Sequence, residues 1–294
     1  MALPCGQCLG CRLKRSQEWA TRCVHEAEMH EENAFLTLTY EEEPEHKGLE
    51  KKHFQYFMKR LRKVLAPKKI RFFMCGEYGK VYQDHDYSSP PLAHPFADGR
   101  EALGRPHYHA LIFGHDFGLS KSEKPGLEIH SVNKGIYLYK CPDLERIWGH
   151  GFVTVGEVTR ESAAYVARYV VKKINGGEAD NYYKRIDDNG KTRKVIPEYI
   201  TMSLKPGIGQ EWFDKYHRDV FPYDELVVTG GKKVPVPKYY LNRYKKLFPE
   251  EFELVQARRI AKARKNSSEN TPWRLKPKQV ITEAKVSKLK RGLS

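Results

Sequence analysis

Gly104-Arg105-Pro106-His107-Tyr108-His109-Ala110-Leu111-Ile112-Phe113 reads as a β-strand closed by Gly114. Successive side chains on a strand point to opposite faces. Tyr108, Ala110 and Ile112 therefore share one face, and His107 and His109 share the other. The strand rise puts the two histidines about 7 Å apart, close enough for both imidazoles to reach one divalent ion. A surface pair of histidines beside a loop has the same spacing, so the pair alone does not separate the two readings.

Outward from this strand, Ile70 to Cys75 reads as another strand that runs into Gly76-Glu77-Tyr78-Gly79. Glu77 at its end could add an oxygen ligand, and a two-histidine, one-carboxylate set leaves coordination positions open for substrate oxygens. Residues 80–105, rich in Pro, Gly, Asp and Ser, read as a long surface loop between the two. Phe35 to Tyr40 and Gly151 to Val158 are further strands. Helix formers fill residues 12–32. Phe54, Phe57, Met58, Leu61 and Leu65 recur at the spacing of one buried helical face, which Pro67 ends. Strand, helix, strand, loop and strand with short links predict an α+β fold and not a doubly wound parallel sheet.

Thr159 is a natural N-cap for a helix over Arg160 to Ile174, stopped by Asn175-Gly176-Gly177. Ala163, Val166, Ala167, Val170 and Ile174 form its apolar stripe. Tyr165, Tyr169 and Lys172 fall on a neighbouring stripe, within about 40° of one another, and Lys173 follows Tyr169 at i+4. Two phenols and an ammonium thus line one edge beside the buried face. Tyrosines that cap a core with their hydroxyls in water give the same pattern.

At the N-terminus, Cys5, Cys8 and Cys11 are spaced by two residues each, and Cys23 follows twelve residues on. Cysteines at this spacing grip one zinc, with Cys23 completing a four-cysteine structural site or His25 taking its place. Free reduced thiols are the alternative. The fourth cysteine and proline of a ferredoxin-type run are missing.

Composition narrows the class. The 294 residues hold 52 Lys and Arg against 37 Asp and Glu, a formal charge of +15. Mean hydropathy is −0.69, and no apolar run approaches the roughly 18 residues of a membrane span. Met1-Ala2-Leu3-Pro4-Cys5 lacks the charged and apolar regions of a signal peptide, and clustered cysteines do not suit a secreted disulfide framework. A soluble cytoplasmic protein is the expectation. Residues 231–294 carry 18 Lys and Arg against 5 Asp and Glu, a net +13 that leaves +2 for the rest. Such asymmetry points to a polyanion such as nucleic acid, the alternative being a solubilising tail.

In this order the motifs resemble the HUH endonucleases, and more narrowly the replication initiators of gokushovirus-type microviruses, small single-stranded DNA phages. The resemblance is carried by PCGQCLGCR (4–12), FLTLTY (35–40), CGEYG (75–79), GRPHYHALIFG (104–114), WGHGFVTVGEVTRESAAYVARYVVKK (148–173) and SLKPGIG (203–209). It covers the chain from its start to about residue 210.

The resemblance implies an HUH endonuclease-like antiparallel sheet of about five strands, flanked by helices, with the histidines on its central strand. It divides the chain into a cysteine-bearing helical segment (1–32), the HUH domain (33–210) and a basic extension (211–294) that binds DNA or a partner. His107 and His109 would bind Mg²⁺ or Mn²⁺, with Glu77 at the acidic position of the preceding strand; imidazole ligands lean toward Mn²⁺. Tyr165 and Tyr169 map onto the paired nucleophilic tyrosines, and Lys172 or Lys173 would stabilise charge on the phosphate. The implied activity is rolling-circle initiation: nicking of an origin strand through a 5′-phosphotyrosyl link, followed by religation. Its partners would be single-stranded and origin DNA and the host DNA polymerase in the bacterial cytoplasm. No P-loop occurs, so a host helicase would unwind the duplex. A non-catalytic zinc-bearing DNA-binding or packaging protein is the competing reading.

Overall fold

In a computed structural model, the structure describes residues 4–79, 104–133, 135–168, 179–187, 189–221, 223–228 and 230–287. The strands are β1 (Asn33–Thr39), β2 (Arg71–Tyr78), β3 (Pro106–Phe113), β4 (Glu128–Asn133), β5 (Ile136–Lys140), β6 (Val153–Gly156), β7 (Lys184–Ile186), β8 (Thr192–Lys194), β9 (Tyr199–Met202), β10 (Leu226–Val228) and β11 (Lys232–Val234). The helices are α1 (Leu9–Ala27), α2 (Lys51–Val64), α3 (Pro142–Trp148), α4 (Arg160–Arg168), α5 (Ala179–Tyr182), α6 (Gln210–Val220), α7 (Lys238–Leu247), α8 (Pro249–Lys265) and α9 (Pro272–Ser287).

Seven strands form one antiparallel sheet in the order β4-β5-β6-β1-β3-β2-β9, and β7-β8 and β10-β11 are separate hairpins. The fold is α+β, as the sequence predicts, but the sheet has seven strands where about five are expected. Part of the difference is the β4-β5 hairpin at one edge. Its short strands are largely exposed and lack the half-buried alternation that marks a strand in sequence.

Alternation splits the sheet into two faces. Leu36, Leu38, Met74, Tyr108, Ala110, Ile112, Val153 and Val155 form one face, covered by α2 and α3. Phe54, Phe57, Met58 and Leu61 bury their side chains there, each contributing about 1.5–3 kcal/mol of transfer free energy. Phe35, Phe73, Leu111 and Phe113 form the other face, where Trp19, Cys23, Val24 and Ala27 of α1 pack beside Ala163 and Val166 of α4. Its apolar part centres on the row of Phe35, Leu111 and Phe73, while Asn33 and Arg71 flank Phe113 at one end. Toward the start of β3 it carries the polar residues of the candidate site.

A third cluster lies in the C-terminal part, with Phe213, Val220, Phe221, Leu226, Val234, Val236, Tyr240, Leu241, Tyr244 and Val255 at its centre. This region holds a core of its own, built from short elements between the Pro and Gly breakers. It docks on α1. The Gly209 amide donates to Glu26 Oε2 at 2.6 Å, Arg22 Nε donates to the Ile208 carbonyl at 3.0 Å, and the Trp212 ring stacks on His25 at 3.5 Å between centroids. Arg71 pairs with Glu26 from β2. Among the described residues no helix is long and apolar enough to cross a membrane.

Candidate metal and nucleophile site

Register assembles the site. In the β2–β3 ladder Glu77 lies opposite His107 and Cys75 opposite His109. In the β1–β3 ladder Thr39 lies opposite His107 and Thr37 opposite His109. Directly opposed residues share a face, so Glu77, His107, His109, Thr37 and Thr39 lie together. The long stretch between β2 and β3 does not disturb this pairing. The Gly79 amide donates to the Arg105 carbonyl and the Gly104 amide to the Gly79 carbonyl, each at 2.9 Å, so the ladder closes just before residue 80 and resumes just after 103.

The three expected ligands meet at one point. Glu77 Oε1 is 2.7 Å from His107 Nε2 and 3.0 Å from His109 Nε2. Their ligand atoms all lie within 4.8 Å of one another. Glu77 and His109 are buried, and His107 is half-buried. Burial alone would raise the Glu77 carboxyl, but the hydrogen bonds and charge of the two imidazoles overcome it and hold it well below the usual carboxylate range.

The outer nitrogens also fit a divalent ion. His107 Nδ1 is 3.1 Å from the Arg105 carbonyl, which only accepts, so Nδ1 carries the proton. His109 Nδ1 is 3.0 Å from Thr37 Oγ1. A metal-bound imidazole typically gives its second N–H to such an oxygen, which fixes the tautomer and aims the bare Nε2 at the ion. With an ion bound, both Nε2 lone pairs and Glu77 Oε1 would face it. Thr37 and the Arg105 carbonyl are contributions that the sequence reading missed. A polar Thr37 between Leu36 and Leu38, in line with the histidines, was the available signal.

α4 brings the tyrosine. Thr159 caps it as expected: the Ser162 amide donates to Thr159 Oγ1 at 3.2 Å, and the Thr159 amide donates back to Ser162 Oγ at 2.8 Å. Ala163 and Val166 bury against the sheet, which turns Tyr165 toward β3. Its hydroxyl is 3.5 Å from His109 Nε2, its ring meets that imidazole edge-on at 5.0 Å, and Phe35 packs against both. Tyr169, Lys172 and Lys173 lie outside the described residues.

The same face continues outward from the site. Lys140, Thr154, Thr37 and His109 form one cross-strand row. One step along, Thr39 donates its amide to the carbonyl of Phe152, the residue before β6. Val153 faces the opposite core, so alternation turns Phe152 to the site face, where it is 52% exposed. Two strand spacings, about 10 Å, separate it from His107.

The cysteines divide. Cys5, Cys8 and Cys11 converge, whereas Cys23 does not join them. Twelve residues of α1 put Cys23 about 18 Å from Cys11 along the axis. It is fully buried against the sheet, where burial pushes its thiol up beyond any useful thiolate. A four-cysteine site with Cys23 is therefore excluded. His25, two residues beyond Cys23 on the same helix and stacked on Trp212, is likewise remote from the three converging cysteines.

With this geometry in place, the family of replication-associated proteins of the ORF2 and gene 2 protein type matches residues 33–86 and 99–174, which include β1, β2, β3, β6 and α4. Replication-associated protein VP4 of Bdellovibrio phage phiMH2K is 32% identical over 261 residues, covering 85% of this chain and 70% of that protein. Replication-associated protein ORF2 of Spiroplasma virus 4 is 31% identical, covering 86% and 71%. Replication-associated protein ORF4 of Chlamydia phage 1 is 30% identical, covering 85% of this chain and 55% of its own length. No solved structure matches. Similarity of this extent, over the strands and helix that build the site, shows that the chain belongs to the replication-associated proteins of gokushovirus-type microviruses.

Proposed function

We propose that this protein initiates rolling-circle replication by nicking one DNA strand at its origin with a tyrosine nucleophile. The observation that carries the reading is the Tyr165 hydroxyl 3.5 Å from Nε2 of His109, one of three converging ligand atoms. A phenol with a pKa of about 10 is a weak nucleophile at neutral pH. Mg²⁺ or Mn²⁺ held by Glu77, His107 and His109 would supply Lewis-acid polarisation of the scissile phosphate. The chain's own residues do the rest. α4, packed through Ala163 and Val166, holds the Tyr165 oxygen at the edge of the ligand set, so a phosphate lodged there meets a pre-aimed nucleophile.

Attack by the phenolic oxygen, which gives up its proton, joins the tyrosine to the 5′-phosphate end and breaks the P–O3′ bond; the departing oxygen takes up a proton to become a 3′-hydroxyl, which a host polymerase can extend. The ester keeps the phosphodiester's energy, so a later 3′-hydroxyl can reverse the step and close a circle without ATP. Tyr169, one turn beyond Tyr165 in sequence, serves as the second nucleophile that lets cutting and joining alternate. Lys172 or Lys173 stabilises charge on the five-coordinate phosphorus. Lys140 and Phe152, on the same face, suit a single strand laid across β5, β6 and β1 toward His107, one by charge and the other by base stacking. The basic region after residue 231 adds affinity for origin DNA, and a host helicase opens the duplex.

The test is incubation of the protein with single-stranded fragments of its phage genome and Mn²⁺, scored for a denaturant-resistant protein–DNA adduct. The adduct is expected in the wild type and absent from the Tyr165→Phe, Tyr169→Phe double variant. DNA binding with no adduct on any fragment would overturn the proposal in favour of a non-catalytic DNA-binding role.

A further inference from the structure

The sulfurs of Cys5, Cys8 and Cys11 lie within 4.8 Å of one another at the start of α1. No part of the proposed nicking chemistry uses them. Cys8 occupies the N-cap of α1 and Cys11 its first turn, while Cys5 is brought back by a turn in which Gly6 has φ +75°. A side chain at Gly6 would be strained by that backbone, so the turn is matched to its sequence. The Cys8 amide donates to Cys5 Sγ at 3.2 Å, which orients that sulfur. Cys5 and Cys8 are exposed, and none of the three forms a disulfide.

We infer that Cys5, Cys8 and Cys11 bind one Zn²⁺ as three thiolates, forming a metal centre separate from the Glu77–His107–His109 site. Tetrahedral zinc at a Zn–S distance of about 2.3 Å needs sulfurs about 3.8 Å apart, a separation inside the 4.8 Å within which the three lie. A cubane iron–sulfur cluster spaces its cysteines more widely, because each sulfur binds a different iron. Binding releases three thiol protons and leaves a complex of net charge −1, which the positive end of the α1 dipole favours. Among the described residues no fourth His, Cys, Asp or Glu joins the set.

The place of the site gives it a purpose. Glu26 of α1 pairs with Arg71 at the start of β2, and Trp19 packs on Phe73 at 5.1 Å. Moving back along α1 therefore advances along β2 toward Glu77. Cys11 is eight residues before Trp19, about 12 Å, and Glu77 four residues beyond Phe73, about 13 Å. The zinc end of α1 thus reaches the level of the metal end of the sheet, and α1 packs beside α4, which carries Tyr165. The ion pins the chain entering α1 onto the helix that flanks the nucleophile.

The experiment uses the full-length chain, purified reduced and without chelator, with metal content measured by mass spectrometry and Co²⁺ exchanged for the bound ion. One zinc per chain and intense thiolate-to-cobalt absorption are expected. Both should be lost in Cys5→Ser, Cys8→Ser and Cys11→Ser, and kept in Cys141→Ser and His109→Ala. Wild-type protein that folds without thiolate-bound metal would overturn the inference, a test that requires no variant to fold. So would a Cys5–Cys8 disulfide, iron with acid-labile sulfide, or thiolate absorption that survives all three serine variants. Each readout is independent of nicking, so the proposed activity stands or falls separately.

Discussion

Thr37 stands directly across the β1–β3 ladder from His109, and its hydroxyl oxygen is 3.0 Å from Nδ1 of that imidazole. The contact leaves Nε2 for the proposed ion, so its loss should weaken metal binding without touching a proposed ligand. Thr37→Val keeps the shape and removes the oxygen. Mn²⁺ affinity is expected to fall about 10- to 100-fold, with little change in melting temperature. Titration calorimetry checks this, and unchanged affinity would mean that packing by Phe35 alone fixes the ring.

Glu77→Gln removes the charge at the centre of the ligand set while keeping its volume. Metal-dependent adduct formation is expected to drop by on the order of 100-fold or more, since a ligand matters at least as much as its supporting contacts. Binding of single-stranded DNA at fixed salt should change little, because phosphate contacts elsewhere dominate it. Gel analysis of adducts beside fluorescence anisotropy separates the two effects.

Phe152, half exposed beside the row that leads to His107, is expected to stack a base of the substrate strand. Phe152→Ala should cost about 1–3 kcal/mol, roughly 5- to 150-fold in single-strand affinity. Phe152→Trp should restore it. Equal binding by all three proteins would remove Phe152 from the DNA path.

His25 sets a pH dependence for the junction between α1 and the C-terminal region. Burial lowers its pKa to about 3, against about 6.5 in an unfolded chain. Between those values the unfolded state binds the extra proton, so stability falls as pH drops below about 6.5. By pH 5 the loss approaches about 2 kcal/mol. Thermal melts at pH 7.5 and pH 5 should show a larger drop for the wild type than for His25→Phe, which keeps a ring against Trp212. Parallel drops would place the acid sensitivity elsewhere.

The histidine strand, its neighbour bearing Glu77 and the tyrosine helix are legible in sequence because each is half buried and so alternates or repeats with a clear period. Their meeting point was a matter of register, which a stretch of more than twenty residues between β2 and β3 hides from any local reading. The β4–β5 hairpin escapes for the opposite reason, since exposed strands such as Glu128–Asn133 leave little hydrophobic pattern. Cys23 misleads because spacing in sequence says nothing of helical rise. Once α1 runs unbroken from Leu9 to Ala27, its sulfur is several turns from the other three. The core around Phe213 and Tyr240 was masked by the basic residues interspersed with it.

The pairing of His25 with Tyr240 spans 215 positions of the chain, which bears on how the protein is made. During translation α1 leaves the ribosome early, carrying a histidine and Glu26 whose partners at Gly209, Trp212 and Tyr240 are not yet synthesised. The helix can pack on Phe73 and pair with Arg71 earlier, but its contacts with the C-terminal region form only when most of the polypeptide has emerged. A truncated product ending before residue 209 would contain every residue of the proposed cutting site and still lack the brace that seats α1. The contacts that join α1 to the C-terminal region are thus the last of its packing to become available as the chain appears.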